Sequence, residues 1–162
     1  MKRFFRIFAA LAVLAFFSIF TVAAADSDAD RIIGKYKKSE DVEYFRLNRI
    51  LLGAAMKCDE DMSGWLKGVR RMDVMIVDGE TGLSGGFSED VSSLKEKGWS
   101  MPVKVSDEGD AVEIYAMKKG GKIREVVILT ADDTDCVFVR IKCKVAESDI
   151  KDMVNGIKVN MD

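Results

Sequence analysis

Four runs of alternating character, joined by turns too short to hold a crossover, fill Ser100 to Val145 and constrain this chain more than any other feature. Ser100–Val105 leads into "SDEGD". Ala111–Met117 then sets Val112, Ile114 and Ala116 against Glu113, Tyr115 and Met117. Gly120-Gly121 closes a hairpin onto Ile123–Thr130, and "ADDTD" leads into Cys136–Val145. A period of two puts successive side chains on opposite faces of a sheet, and Gly-Gly supplies the positive φ of a two-residue hairpin turn. Strands joined this tightly pair antiparallel, because a parallel connection needs a dozen or more residues. In the last run Val137, Val139, Ile141 and Cys143 share one face, and Cys136, Phe138, Arg140 and Lys142 the other. Val126–Leu129 is apolar on both faces, so this hairpin belongs in the middle of the sheet.

Upstream, strands and helices alternate. Val42–Leu47 reads as a strand with Phe45 and Leu47 on one face. Asn48 is a good N-cap for a helix over Asn48–Lys57, with Ile50, Leu51, Ala54, Ala55 and Cys58 at helical spacing. Val69–Val77 is a strand whose Met72, Val74 and Ile76 share a face. "DGETGLSGG" (Asp78 to Gly86) reads as a loop, and a helix opens near Ser88, lined by Phe87, Val91 and Leu94 and ended by Gly98. A closing helix spans Ala146–Asn155, with Ile150, Met153, Val154 and Ile157 inward. The order is β-α-β-α-β-β-β-β-α. The fold class is therefore α+β: a two-layer, mostly antiparallel sheet with helices packed on one face, forming a single domain over residues 41–157.

Residues 1–25 stand apart. Lys2, Arg3 and Arg6 precede an apolar run from Ile7 to Val22, and Ala23-Ala24-Ala25 offers a small-residue cleavage site before Asp26. That is the pattern of a secretory signal peptide, with cleavage expected after Ala25, a periplasmic or secreted destination, and no stable membrane anchor afterwards. No cysteine precedes Cys58, so no acylated cysteine holds the chain to a membrane. Residues 26–40 are polar and read as a flexible lead-in, with room for one short helical turn around Ile32–Ile33. Removing the leader takes 25 basic residues to 22 against 27 acidic, a net charge of −5. That balance argues against a nucleic-acid partner and disfavours simple docking on an anionic membrane. The charges are interspersed along the sequence, as on a solvated surface.

The chain contains no histidine, which removes Ser-His-Asp and Cys-His catalysis, His-ligated zinc and the commonest general base. No phosphate-cradling glycine motif occurs. No catalytic, cofactor-binding or metal-ligating residue is assigned, and no cofactor is expected. Three cysteines allow at most one disulfide. Cys136 and Cys143, seven apart on one strand, point to opposite faces and cannot pair with each other, whereas Cys58 with either is geometrically open; small buried apolar roles are favoured for all three. Three acidic clusters (Asp59, Glu60, Asp61; Asp107, Glu108, Asp110; Asp132, Asp133, Asp135) lack the spacing of a calcium loop and read as turn chemistry. Met72, Met75, Met101, Met117 and Met153 read as core filling.

The strand-to-helix run "FRLNRILLGAAM", the meander from "SSLKEKGWS" to "CVFVRIKCKV" and the closing "AESDIKDMV" together resemble the family known as domain of unknown function 4252, small exported proteins of Gram-negative bacteria. The resemblance covers about residues 41–155. It implies export and an α+β domain, and by analogy an envelope-sensing role; it carries no catalytic residue, cofactor or substrate. The expected function is a non-enzymatic interaction or regulatory module of the cell envelope with a protein partner there. The alternative is a periplasmic small-ligand or lipid-binding protein, which requires an apolar cavity between sheet and helices.

Overall fold

A computed structural model describes residues 27–58, 66, 68–107, 109–132 and 134–148. The elements in chain order are α1 (Asp28–Tyr36), β1 (Val42–Leu47), α2 (Arg49–Cys58), β2 (Val69–Asp78), α3 (Leu83–Ser92), a 3-10 turn (Ser93–Lys97), and strands β3 (Ser100–Asp107), β4 (Asp110–Lys119), β5 (Lys122–Ala131) and β6 (Asp135–Val145). The fold is α+β. All six strands join one open sheet in the order β1-β2-β6-β5-β4-β3, and every neighbouring pair is antiparallel.

The alternation reads through. Gly120 and Gly121 take φ of 63° and 69°, and Lys119 faces Lys122 across them, the geometry that only glycine adopts without strain. β6 and β5 are the third and fourth strands, the middle of the sheet as expected. Phe138 and Cys136 enter one core with Tyr115, Val127 and Leu129, whereas Val137 and Val139 lie on the opposite face with Met72 and Val74. Met72 and Met75 are buried, and Met101 and Met117 pack against the core, so these methionines fill interior space.

Three expectations change. First, residues 26–40 are not a flexible lead-in where the structure describes them. Asp28–Tyr36 is helical, and Ala29, Ile32, Ile33 and Tyr36 are buried. Ser27 caps the helix: its Oγ accepts from Asp30 N–H while the Asp30 carboxylate accepts from Ser27 N–H, a reciprocal capping box. Second, the helix lined by Phe87 begins at Leu83 rather than near Ser88. Gly85 and Gly86 disfavour helix in isolation, but Phe87 is locked edge-on between Tyr36 and Phe138, with ring centroids 5.0 and 5.6 Å away. Third, the helices are not gathered on one face. α1 and α3 cover the face of Phe138, while α2 packs Leu52 on the other with Leu47, Leu66 and Met72.

In α2 the buried side of the apolar run differs from the expected one. Leu52 is buried and Ile50, expected inward, is 82 % exposed; two residues apart on a helix, they point to nearly opposite sides. Asn48 does cap α2, accepting from the N–H groups of Ile50 and Leu51. The closing helix expected over Ala146–Asn155 lies mostly outside the described residues, as does the Asp59–Asp61 cluster. Gly98, at φ 87°, ends the 3-10 turn after α3, as the sequence predicted.

α1 is thus an integral part of the core. Ile33→Ala is expected to cost about 2–4 kcal/mol, as for other truncations of buried isoleucine, whereas Lys38→Ala on the exposed surface should cost under about 0.5 kcal/mol. Urea denaturation of both variants checks this. Equal stability of the two would mean that α1 does not pack as described.

Candidate functional site

The most unusual chemistry is a charged cluster buried where an apolar core would be expected. Arg140 in β6 has no exposed surface, nor does Asp73 directly across from it in β2. One Arg140 Nη donates to Asp30 Oδ1 at 2.7 Å and lies 2.7 Å from Asp73 Oδ2. The other lies 3.5 Å from Glu125 in β5, itself 6 % exposed. Arg71 bridges the same two aspartates, at 3.1 Å to Asp30 and 3.1 Å to Asp73. Arg46 and the Tyr44 hydroxyl donate to Asp73 Oδ1 at 2.8 and 2.6 Å. Lys142 reaches Asp30 at 3.2 Å, and Ser27 Oγ donates to Glu125 at 3.1 Å.

The cluster therefore ties four adjacent strands, β1, β2, β6 and β5, to the first turn of α1. Burying one charge alone would cost several kcal/mol, and only close counter-charges with well-placed hydrogen bonds offset that cost. Arg140 Nε is the one buried side-chain nitrogen or oxygen among the described residues without a partner. Burial pushes the Asp73 carboxyl up, but the Arg140 charge and the Tyr44 and Arg46 donors outweigh it and hold it below the usual carboxylate range. Asp30 is held well below that range in the same way: the Ser27 N–H and Arg140 overcome its burial. Carboxylates so engaged remain ionised at neutral pH and are poor general bases.

Outside this cluster the charges are sorted by the topology. At the end of the sheet where β1, β4 and β6 finish and β2, β3 and β5 begin, Arg49, Arg70, Lys118, Lys119, Lys122 and Lys144 are all exposed. Among the described acids near this end, Asp30 and Glu125 are turned inward, Asp28 accepts from the Trp99 indole, Glu147 pairs with Lys118 at 2.6 Å, and exposed Glu96 lies between Lys95 and Lys97 in the turn ahead of β3. The other end carries Glu40, Asp41, Glu43, Asp78, Glu80, Asp110, Asp132 and Asp135, with Lys37 and Lys38 as its nearby cations. The Asp135 carboxyl is raised, by burial first and then by the negative charges of Asp132, Asp78 and Glu43. Among the described residues, charges that are interspersed along the sequence are largely sorted between the two ends.

The acidic turn before β6 is built as turn chemistry: Asp132 Oδ1 accepts from the Thr134 and Asp135 N–H groups and from the Thr134 hydroxyl, each at 2.8 Å. Asp107 and Asp110 are the last register partners of β3 and β4 before their turn. Cys136 and Cys143 are free and buried on opposite faces, and burial pushes each thiol up to about 11, so neither is an activated nucleophile. The Cys58 side chain lies outside the described residues.

A family model matches residues 36–153. The chain belongs to the family described as Domain of unknown function (DUF4252). The match begins at the last residue of α1, so most of the helix that completes the buried cluster lies ahead of the family's matched region. No curated protein and no solved structure matches the chain.

Arg140→Ala is expected to lower stability by about 3–5 kcal/mol, because it leaves Asp73 charged, buried and short of its main partner. Arg140→Met combined with Asp73→Leu should recover a large part of that loss. Chemical denaturation of the two variants checks both numbers, and a double variant no more stable than Arg140→Ala would contradict the pairing. The acid limb follows from the sign of the shifts. Asp30 and Asp73 sit below their unfolded values, so their contribution is complete above about pH 4 and is lost as pH falls through the folded values. Unfolding followed from pH 7 down to pH 3 should show falling stability, and Asp73→Asn should flatten that dependence.

Proposed function

We propose that this protein is an exported, non-enzymatic interaction or regulatory module of the cell envelope. The observation that carries the reading is the segregation of charge between the two ends of the sheet. Solvated surfaces mix their signs, whereas ends in which one sign predominates create fields that steer and orient a partner. The interior carboxylates are tied to cations and the described cysteines are buried, so the chemistry on hand is that of holding a shape. The N-terminal leader supports export.

The small-ligand alternative needs space between sheet and helices. There Met75, Phe87, Val91, Leu94, Tyr115, Val127 and Phe138 are wholly buried against one another. No observation favours that second reading.

Two measurements test the proposal. N-terminal sequencing of protein recovered from the periplasm or medium should begin at Asp26, and an uncleaved Met1 on cell-associated protein would refute export. Affinity capture from envelope extract should retain a partner at low salt that is lost at high salt. Reversing the acidic end with Glu40→Lys and Glu80→Lys, or the basic end with Lys119→Glu and Lys122→Glu, should abolish that capture without lowering the melting temperature by more than about 2 °C. A captured set indifferent to salt and to both variants would overturn the reading.

A further inference from the structure

We propose that the basic end of the sheet is a contact surface for an anionic phospholipid bilayer, with Ile50 as its apolar anchor. The inference rests on the interaction-module reading and names what one end of that module meets. Three observations converge on the same end. The first is the cluster of exposed cations, with the β4–β5 hairpin presenting Lys119 and Lys122 at its glycine turn beside Lys118, which pairs with Glu147. The second is Ile50, 82 % exposed three residues beyond the end of β1, with exposed Arg49 beside it. A large aliphatic side chain standing in water within a basic rim gains free energy by entering the headgroup boundary, and the cations gain it from anionic headgroups. The third is where the chain enters the domain. Ser27, at the start of α1, hydrogen-bonds Glu125 in β5 at this end, so residues 1–26 and their apolar run join the domain there.

The net charge of −5 does not oppose this contact. β4 and β5 are each 10 residues long, which separates the two ends by about 30 Å. That is about three screening lengths at 0.1 M salt, so a surface touching the basic end scarcely feels the acidic one. No helix among the described residues is long and apolar enough to cross a membrane, and the contact proposed is peripheral. A second copy docking its acidic end onto the basic end is the competing occupant. It leaves Ile50 without an apolar phase to enter and makes no use of where the leader joins.

The test uses the chain from Asp26 to Asp162, because the leader would itself bind lipid. Co-sedimentation is measured with phosphatidylcholine vesicles that contain or lack phosphatidylglycerol. Binding is expected only with phosphatidylglycerol and should fall steeply as salt is raised. Removing Lys119, Lys122 and Lys144 together by substitution with Gln should weaken it on the order of a hundredfold, about fivefold per cation. Ile50→Asp should weaken it by about tenfold, and all variants should melt with the parent chain. Replacing Glu40 and Glu80 with Gln at the far end should leave it unchanged. No binding to phosphatidylglycerol vesicles at low salt, or binding that survives the lysine substitutions, overturns the inference. So does salt-sensitive self-association without vesicle binding, an outcome that leaves the interaction-module reading standing. Loss of that reading would instead appear in the capture experiment, with vesicle binding intact.

Discussion

A fully buried guanidinium is the constraint on which the rest of this structure depends. Arg140 sits on the third strand of six, on the face that two helices cover. Water cannot reach it, so its charge must be met by groups the fold supplies. Asp73 comes from the next strand, Glu125 from the strand on the other side, and Asp30 from α1. These partners fix strand register, since a slip of one residue would move Asp73 or Arg140 to the opposite face. They also fix the seat of α1, whose capping residue Asp30 is at once part of its own helix terminus and a counter-ion to the sheet. At its other end α1 is held by Tyr36 and Lys35, which donate to Asp90 of α3 at 2.7 and 2.6 Å. Between these polar contacts, Ala29, Ile32 and Ile33 seal the core.

The strands were legible because a period of two survives in a single sequence. Val112, Ile114 and Ala116, and likewise Val137 and Val139, lie on the faces that alternation assigns. α1 was obscured by its polar setting, yet the signal was present. Ala29, Ile32, Ile33 and Tyr36 follow the i, i+3, i+4, i+7 spacing of a buried helical stripe, and Ser27-x-x-Asp30 is a capping pattern. In α2, "ILLGAAM" is apolar on every side, so periodicity alone could not choose between Ile50 and Leu52.

The buried cluster was not legible, because Asp30, Asp73 and Arg140 are far apart in the chain and meet only through register and helix placement. A partial sign existed: Arg140 alternates into the same face as Phe138 and Cys136, and a charge on a buried face must be paired. The segregation of charge was hidden for a different reason. Acidic and basic turns alternate along the meander, which looks like mixing in one dimension. In an antiparallel sheet, alternate turns fall at opposite ends, so the same pattern becomes separation in three.

The molecule is thus a sheet clamped through its middle, closed on the face it shares with α1 and α3, with ends of opposite sign. Amide hydrogen exchange of α1 tests the central claim, that the Arg140 cluster locks this helix to the sheet, most directly. The Ile33 and Tyr36 amides are expected to exchange only through the same global opening as Phe138 and Val139 in β6. Exchange of those α1 amides at the rate of an unstructured peptide, while β6 stays protected, would contradict it.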